Sequence, residues 1–158
     1  MDARALRDVF GQFCTGVTAV CTTDASGNSY GITVNSFSSL SLDPPLAMFA
    51  IVRDSDTLKP LRESGHFCIN ILGASQQEVS NRLAKKGGPE KMAQIPTRVA
   101  RTGAPVIADA VAYLDCSLYE LYEGGDHLIV VGEIQEAKVL SDEAPLLYFR
   151  SAYRSVQD

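Results

Sequence analysis

The sequence predicts a mainly β protein with short helices, its strands antiparallel and curled into a barrel. Three observations predict it. Six or seven segments carry strand patterning, against two or three helical ones. The strands meet through short turn clusters instead of alternating with long helices, which favours antiparallel pairing. A chain of 158 residues, 46% hydrophobic and 21% charged, suits one globular domain, here residues 1–158. Closure into a barrel removes the exposed edges that a flat sheet would present.

The elements follow in chain order. Leu6, Val9, Phe10 and Phe13 recur at i, i+3, i+4, i+7, the spacing of one helix face, with Arg4, Arg7, Asp8 and Gln12 opposite. From Gly16 to Thr23 the residues are β-branched and alternating, Asp24 to Asn28 is a turn cluster, and Ser29 to Val34 resumes strand character. Residues 16–36 therefore read as a hairpin. A polar loop ends at Pro44-Pro45 and releases the apolar run Leu46 to Val52, long enough for a buried strand. Thr57 to Glu63 reads as a short helix with Thr57 as N-cap and Pro60 in its first turn.

His66 to Leu72 is the next strand. Ser75-Gln-Gln-Glu78 has the form of a capping box, opening a helix with Val79 and Leu83 on its apolar side and an end near Lys86. Gly87-Gly88-Pro89 stops it, and residues 87–105 read as a long loop with one short strand. Two long strands, Ala110 to Tyr122 and His127 to Leu140, flank a turn at residues 123–126. Pro145 to Tyr153 adds a short strand and the aromatic pair Tyr148 and Phe149.

Charge narrows the function classes. Fourteen Lys and Arg against nineteen Asp and Glu leave a net charge of −5. Duplex affinity comes largely from basic side chains that neutralise phosphates, so a nucleic-acid partner is not expected. Residues 1–8 hold two acids and two arginines and no signal-peptide core, and no apolar run is long enough to span a bilayer. The expectation is a soluble cytoplasmic protein with no membrane partner. The four cysteines, at 14, 21, 68 and 116, form no C-x-x-C pair, and with only His66 and His127 beside them no metal site is expected. Each sits among apolar neighbours and reads as a small buried hydrophobe.

Three constellations carry possible chemistry. Thr33, Asn35, Ser36, Ser38, Ser39 and Ser41 crowd between a strand and Pro44-Pro45, gathering hydroxyls, an amide and backbone N–H donors. Such donors orient a phosphate or a heteroaromatic ring, although serine and asparagine also favour plain turns. Gly124-Gly125-Asp126 places His127 at the start of a strand, where its ring can donate to a ligand oxygen. Asp126 is not expected to orient that ring, because adjacent strand residues point to opposite faces. Arg53 with Ser55 and Thr57, Arg82 after Ser80, and Lys85-Lys86 offer cationic grips for phosphate, or simply a solvated surface. No phosphate-loop lysine and no dinucleotide-binding glycine fingerprint is present.

Five segments occur in order: Phe13-Cys-Thr-Gly-Val-Thr18, Thr33-Val-Asn-Ser-Phe-Ser-Ser-Leu-Ser-Leu-Asp-Pro-Pro45, Phe67-Cys-Ile-Asn-Ile-Leu72, Gly125-Asp-His127 and Pro145-Leu-Leu-Tyr148. The series resembles the flavin reductase-like domain family, short-chain NAD(P)H:flavin oxidoreductases that supply reduced flavin to two-component monooxygenases. It extends from Val9 to Tyr153. The resemblance implies an FMN-binding split barrel of antiparallel Greek-key type, a homodimer, FMN or FAD as flavin and NADH or NADPH as hydride donor. It implies a flavin-dependent monooxygenase as the partner that receives reduced flavin.

Position by position, the resemblance implies that Thr33, Val34, Asn35, Ser36, Ser39, Leu40 and Ser41 meet the flavin ring and ribityl chain. Arg53, Ser55 and Thr57 would reach its phosphates, and Ser80, Arg82, Leu83 and Ala84 would add helix contacts. His127, Tyr148, Arg150 and Tyr153 would form the nicotinamide side, with His127 orienting the dinucleotide. In such a reaction the flavin carries the hydride chemistry and the protein positions it. A non-catalytic flavin-binding or electron-carrier protein on the same barrel is the alternative, and a structural β module is the third reading.

Overall fold

A computed structural model describes residues 2–156. Helix α1 (Ala3–Phe10) leads to β1 (Thr15–Gly16), β2 (Thr18–Thr23), β3 (Ser29–Val34), β4 (Ser38–Leu42) and β5 (Pro45–Val52). Next come α2 (Leu58–Ser64), β6 (His66–Ile71), a 3-10 turn (Ala74–Gln76), α3 (Gln77–Leu83) and a second 3-10 turn (Pro89–Met92). The chain closes with β7 (Thr97–Val99), β8 (Pro105–Ile107), β9 (Ala112–Gly124), β10 (His127–Val139), β11 (Leu147–Phe149) and β12 (Ala152–Arg154).

Seven strands form one antiparallel sheet in the order β3-β2-β6-β9-β10-β5-β4. Its two edge strands, β3 and β4, are consecutive in the chain, with only Asn35, Ser36 and Phe37 between them. Four Cα steps span at most roughly 14 Å. A flat seven-stranded sheet is about 29 Å wide at the usual strand spacing. The sheet must therefore curl until its edges approach. No ladder joins β3 to β4, so the expected barrel is left split along that seam. Ser36 clasps it from the crossing: its hydroxyl accepts from the Ala50 N–H at 2.9 Å and donates to the Ala50 carbonyl at 3.0 Å.

The core lies on both faces of the central strands. Inside the curl, Phe49 and Phe67 meet edge to face at 5.4 Å among Val20, Ile51, Ile69 and Val130. On the other face, Val17, Ala19, Cys21, Leu83, Met92 and Leu146 pack between the sheet, α3 and the tail. β2 feeds both clusters by alternation, which explains why it is buried along nearly its whole length. The tail hairpin β11–β12 pairs with β1 as a separate small sheet, and β7–β8 make a two-stranded ribbon.

Several expectations are corrected. Residues 38–42 of the supposed polar loop form edge strand β4, paired to β5 with a bulge between Ser39 and Ser41. Helix α1 forms, capped by Asp2 on the Arg4 and Ala5 N–H groups, yet it buries none of its residues. Its apolar stripe faces outward, with Val9 and Phe10 each 66% exposed and Phe13, past the helix end, 78% exposed. Thr57 makes no side-chain cap; Ser55 Oγ accepts from the Thr57 N–H at 3.2 Å and takes that part. Ser75 does not open α3, since its N–H donates to Glu143 at 2.7 Å and the helical path begins a turn earlier. α3 also ends at Leu83, short of Lys86. The turn between β9 and β10 is two residues, Gly125-Asp126, because Glu123 and Gly124 stay in the ladder. Cys14 is exposed, while Cys21, Cys68 and Cys116 are buried. Among the described residues no helix is long and apolar enough to cross a membrane.

Candidate functional site at the Asn35 crossing

The seam that closes the sheet also forms the site. Asn35 is exposed at the crossing and lines three adjoining cavities. The first, about 650 Å³, runs between Phe13 to Thr18 on one side and Asn35 to Ser38 on the other, with Ile71 as floor. The second, about 180 Å³, is lined by Val17, Thr33, Ser80, Ala84, Tyr148 and Tyr153. The third, about 230 Å³, lies under α1, between Arg7, Phe10, Phe13 and Tyr148. Gly16 borders the first, and a Cβ placed there would meet nothing within 4 Å, so open space stands over the backbone.

The tail hairpin walls this site. Arg150 and Ser151 turn it with φ of 49° and 58°, in the left-handed region suited to a tight hairpin. Tyr148 and Tyr153 then stack edge to face at 5.5 Å. The hydroxyls of Tyr153 and Ser80 share a 2.7 Å hydrogen bond, and Thr33 donates to the Ser80 carbonyl at 2.7 Å. β3, α3 and the tail are thereby tied together around Asn35. Arg150 donates to the Gln12 side chain at 2.9 Å and its N–H to the Gly11 carbonyl, tying the hairpin to the chain after α1.

A second group gathers at the far end of β5. His127 pairs in register with Val52, and the Arg53 N–H donates to the Asp126 carbonyl. The Arg53 guanidinium donates to the Gly125 carbonyl at 2.8 Å and pairs with Glu123, so it braces the β9–β10 turn. Asp126 does orient His127, against expectation: its carboxylate meets Nδ1 at 2.7 Å. Asp126 belongs to the turn and not to the strand, so strand alternation does not govern it. The bond from the His127 ring holds the Asp126 carboxyl below the usual carboxylate range. Thr57 is fully buried and its hydroxyl has no partner among the described residues.

Not every expected contact faces a cavity. Val34 and Leu83 are buried in the two core clusters, because strand and helix periodicity turn them inward. Arg82 donates to the Ala93 carbonyl at 2.6 Å and lines, with Lys85, Lys86 and Lys91, a separate cavity of about 420 Å³. Lys86 pairs with Asp54 at 2.7 Å, and burial pushes the pKa of Lys91 down while its ammonium caps the Leu83 and Lys85 carbonyls. Ser39, Leu40 and Ser41 lie further along β4 and His127 lies past Ala50; none of them lines a cavity that holds Asn35. A larger cavity, about 790 Å³, lies behind the tail between Cys14, Gln77, Phe149 and Arg154. Among the described residues no cluster of His, Cys, Asp or Glu is placed to hold a metal ion.

Comparison with known proteins decides the family. The profile of the flavin reductase like domain matches residues 10–157. The chain belongs to the flavin reductase-like domain family. A flavin reductase of Pseudomonas putida is 39% identical over 97% of this chain and 89% of its own length. The reductase subunit HsaB of a flavin-dependent monooxygenase from Rhodococcus jostii is 36% identical, over 99% of this chain and 80% of its own. The structure of the Streptomyces globisporus NADH:FAD oxidoreductase SgcE6, in complex with NAD and FAD fragments, superposes with a TM-score of 0.92. It is 34% identical, covering 99% of this chain and 93% of that one.

The flavin reductase site suits a flat, polar-edged ring on observations of this chain alone. Val17, Phe37 and Ile71 give apolar walls, Gly16 leaves space over its backbone, and Asn35 and Ser38 put polar groups along the rim. As an edge strand, β4 also leaves alternate N–H groups pointing away from β5. Phe13, Val17, Thr18, Phe37 and Arg7 were missed as site residues by sequence reasoning. Four of them lie within the quoted segments, but only the crossing brings 13–18 against 35–38.

Proposed function

We propose that this flavin reductase passes hydride from NADH or NADPH to FMN or FAD and releases reduced flavin to a monooxygenase partner. The flavin supplies the hydride-accepting ring. The chain supplies its slot: apolar contact from Val17, Phe37 and Ile71, polar edge contacts from Asn35 and the rim, and a wall of Tyr148 and Tyr153. Arg53 and Ser55, just past the end of β5, would reach a flavin phosphate, with Thr57 buried behind them in the chain, and Ser80 with Ala84 would close the inner side. Tyr148 and Arg150 carry the nicotinamide side, and His127, held by Asp126, orients the dinucleotide and is not an acid or base. Orientation of two bound rings is where most of the acceleration arises. The reading is carried by the convergence of three cavities on Asn35 under an aromatic wall.

A homodimer fits the same reading, supported by exposed apolar positions such as Val9 and Val99, 66% and 77% exposed. The cytoplasm is the proposed compartment, where the thiols stay reduced. The deciding experiment mixes purified protein with each flavin and each nicotinamide. Flavin-dependent loss of nicotinamide absorbance is expected; coloured but inert protein would make it a carrier, and no flavin affinity would end the reading. Replacing His127 with alanine is expected to raise the KM for the nicotinamide far more than it weakens flavin binding. Equal loss of both would remove His127 from that role.

A further inference from the structure

The third cavity at the crossing holds chemistry that the flavin slot does not need. Among the described residues, Arg7 is the single charged side chain lining the three cavities that meet at Asn35. In a chain of net charge −5 this cation stands beside two exposed aromatic rings, Phe10 and Phe13, at 66% and 78% exposure. Several nearby cations are engaged: Arg53 braces the β9–β10 turn, Arg82 holds Ala93, Lys86 pairs with Asp54 and Arg150 holds Gln12. Arg7 joins none of the ion pairs among the described residues.

We infer that Arg7, with Phe10 and Phe13, forms a docking platform for the phosphate-bearing part of the nicotinamide nucleotide. The inference rests on the function proposed above and deepens it by naming where the hydride donor is gripped. A guanidinium fork suits phosphate oxygens, and exposed ring faces suit a flat heterocycle beside them. Location selects the donor over the flavin. The platform borders Asn35 and Tyr148, on the side proposed for the nicotinamide, and its cavity is not lined by Arg53, Ser55 or Thr57, the residues proposed for the flavin phosphate.

The test compares donors with and without phosphate. Initial rates at saturating flavin are measured for NADH and for N-benzyl-1,4-dihydronicotinamide, which carries the same reactive ring and no phosphate. Arg7→Ala is expected to raise the KM for NADH about fivefold or more, with kcat changed less than about twofold, the scale of losing one exposed charge-assisted contact. Rates with the benzyl donor should stay unchanged, and Arg7→Lys should restore much of the NADH KM. Rising salt should raise the NADH KM of the native protein and leave that of Arg7→Ala flat. Phe13→Ala should raise the KM of both donors. An unchanged NADH KM, or equal loss with both donors in Arg7→Ala, overturns the inference. So does a weaker affinity of Arg7→Ala for FMN but not for riboflavin, which would assign the platform to the flavin phosphate. Since α1 buries nothing, these variants keep their fold, and thermal denaturation checks it. If the native protein shows no flavin-dependent oxidation of either donor, it is the function that fails and not the platform.

Discussion

Asp126 and His127 act as one group because the turn, not the strand, holds the carboxylate. The carboxyl titrates below its ordinary range, so the pairing contributes above the usual aspartate pKa and is lost as pH falls through the lowered value. Both side chains reach solvent, so the contribution to stability is small. In His127→Ala the Asp126 carboxyl should titrate at higher pH, back in the ordinary range. Carboxyl chemical shifts followed through acid titration measure this, and an unmoved titration would contradict the pairing. At the same scale, burial raises the Cys21 and Cys116 thiols to about 12 each, which leaves them inert beside exposed Cys14. The sequence could not separate Cys14 from the others. Its apolar neighbour Phe13 is itself exposed, so local composition misled.

Among the elements, the long β9–β10 ribbon has a point of close approach. Gly132 lies at a register shift after Val131, and an added Cβ would lie 2.8 Å from the Cys116 Cβ and against the Phe67 ring. Both neighbours are fully buried and neither can yield cheaply. Gly132→Ala should therefore lower stability by about 1–3 kcal/mol, the usual cost of overpacking. Chemical denaturation measures it, and an unchanged midpoint would show that the bulge adapts. Strands were legible from alternation and turn residues, and β2, β3, β5, β6, β9 and β10 fall close to where the pattern put them. β4 was not legible, because serine-rich composition reads as loop and only pairing with β5 makes it a strand. The start of α3 was misread for a similar reason: Glu143, distant in the chain, takes the Ser75 N–H that a local box would have used.

For the whole molecule, the antiparallel class was legible from local pattern, while the split came only through the family resemblance. Nothing in the local pattern says that β3 and β4, three residues apart, stand at opposite ends of one sheet. The candidate site was legible as a set of segments, through Thr33, Asn35, Ser36 and Tyr148, but its assembly depends on that long-range closure. Ser36→Ala tests the closure, since it removes both hydrogen bonds to Ala50. A loss of about 1 kcal/mol is expected, together with weaker flavin binding; Ser36→Thr, which keeps the hydroxyl, should recover part of each. Stability lost with flavin affinity intact would separate seam from site.

The three-residue crossing has one more consequence. Because the same short span both joins the margins of the sheet and borders the ligand slot, the protein works as a clamp whose hinge is also its jaw. Any guest seated there bridges the two margins, so holding it and holding the molecule shut become one and the same mechanical act.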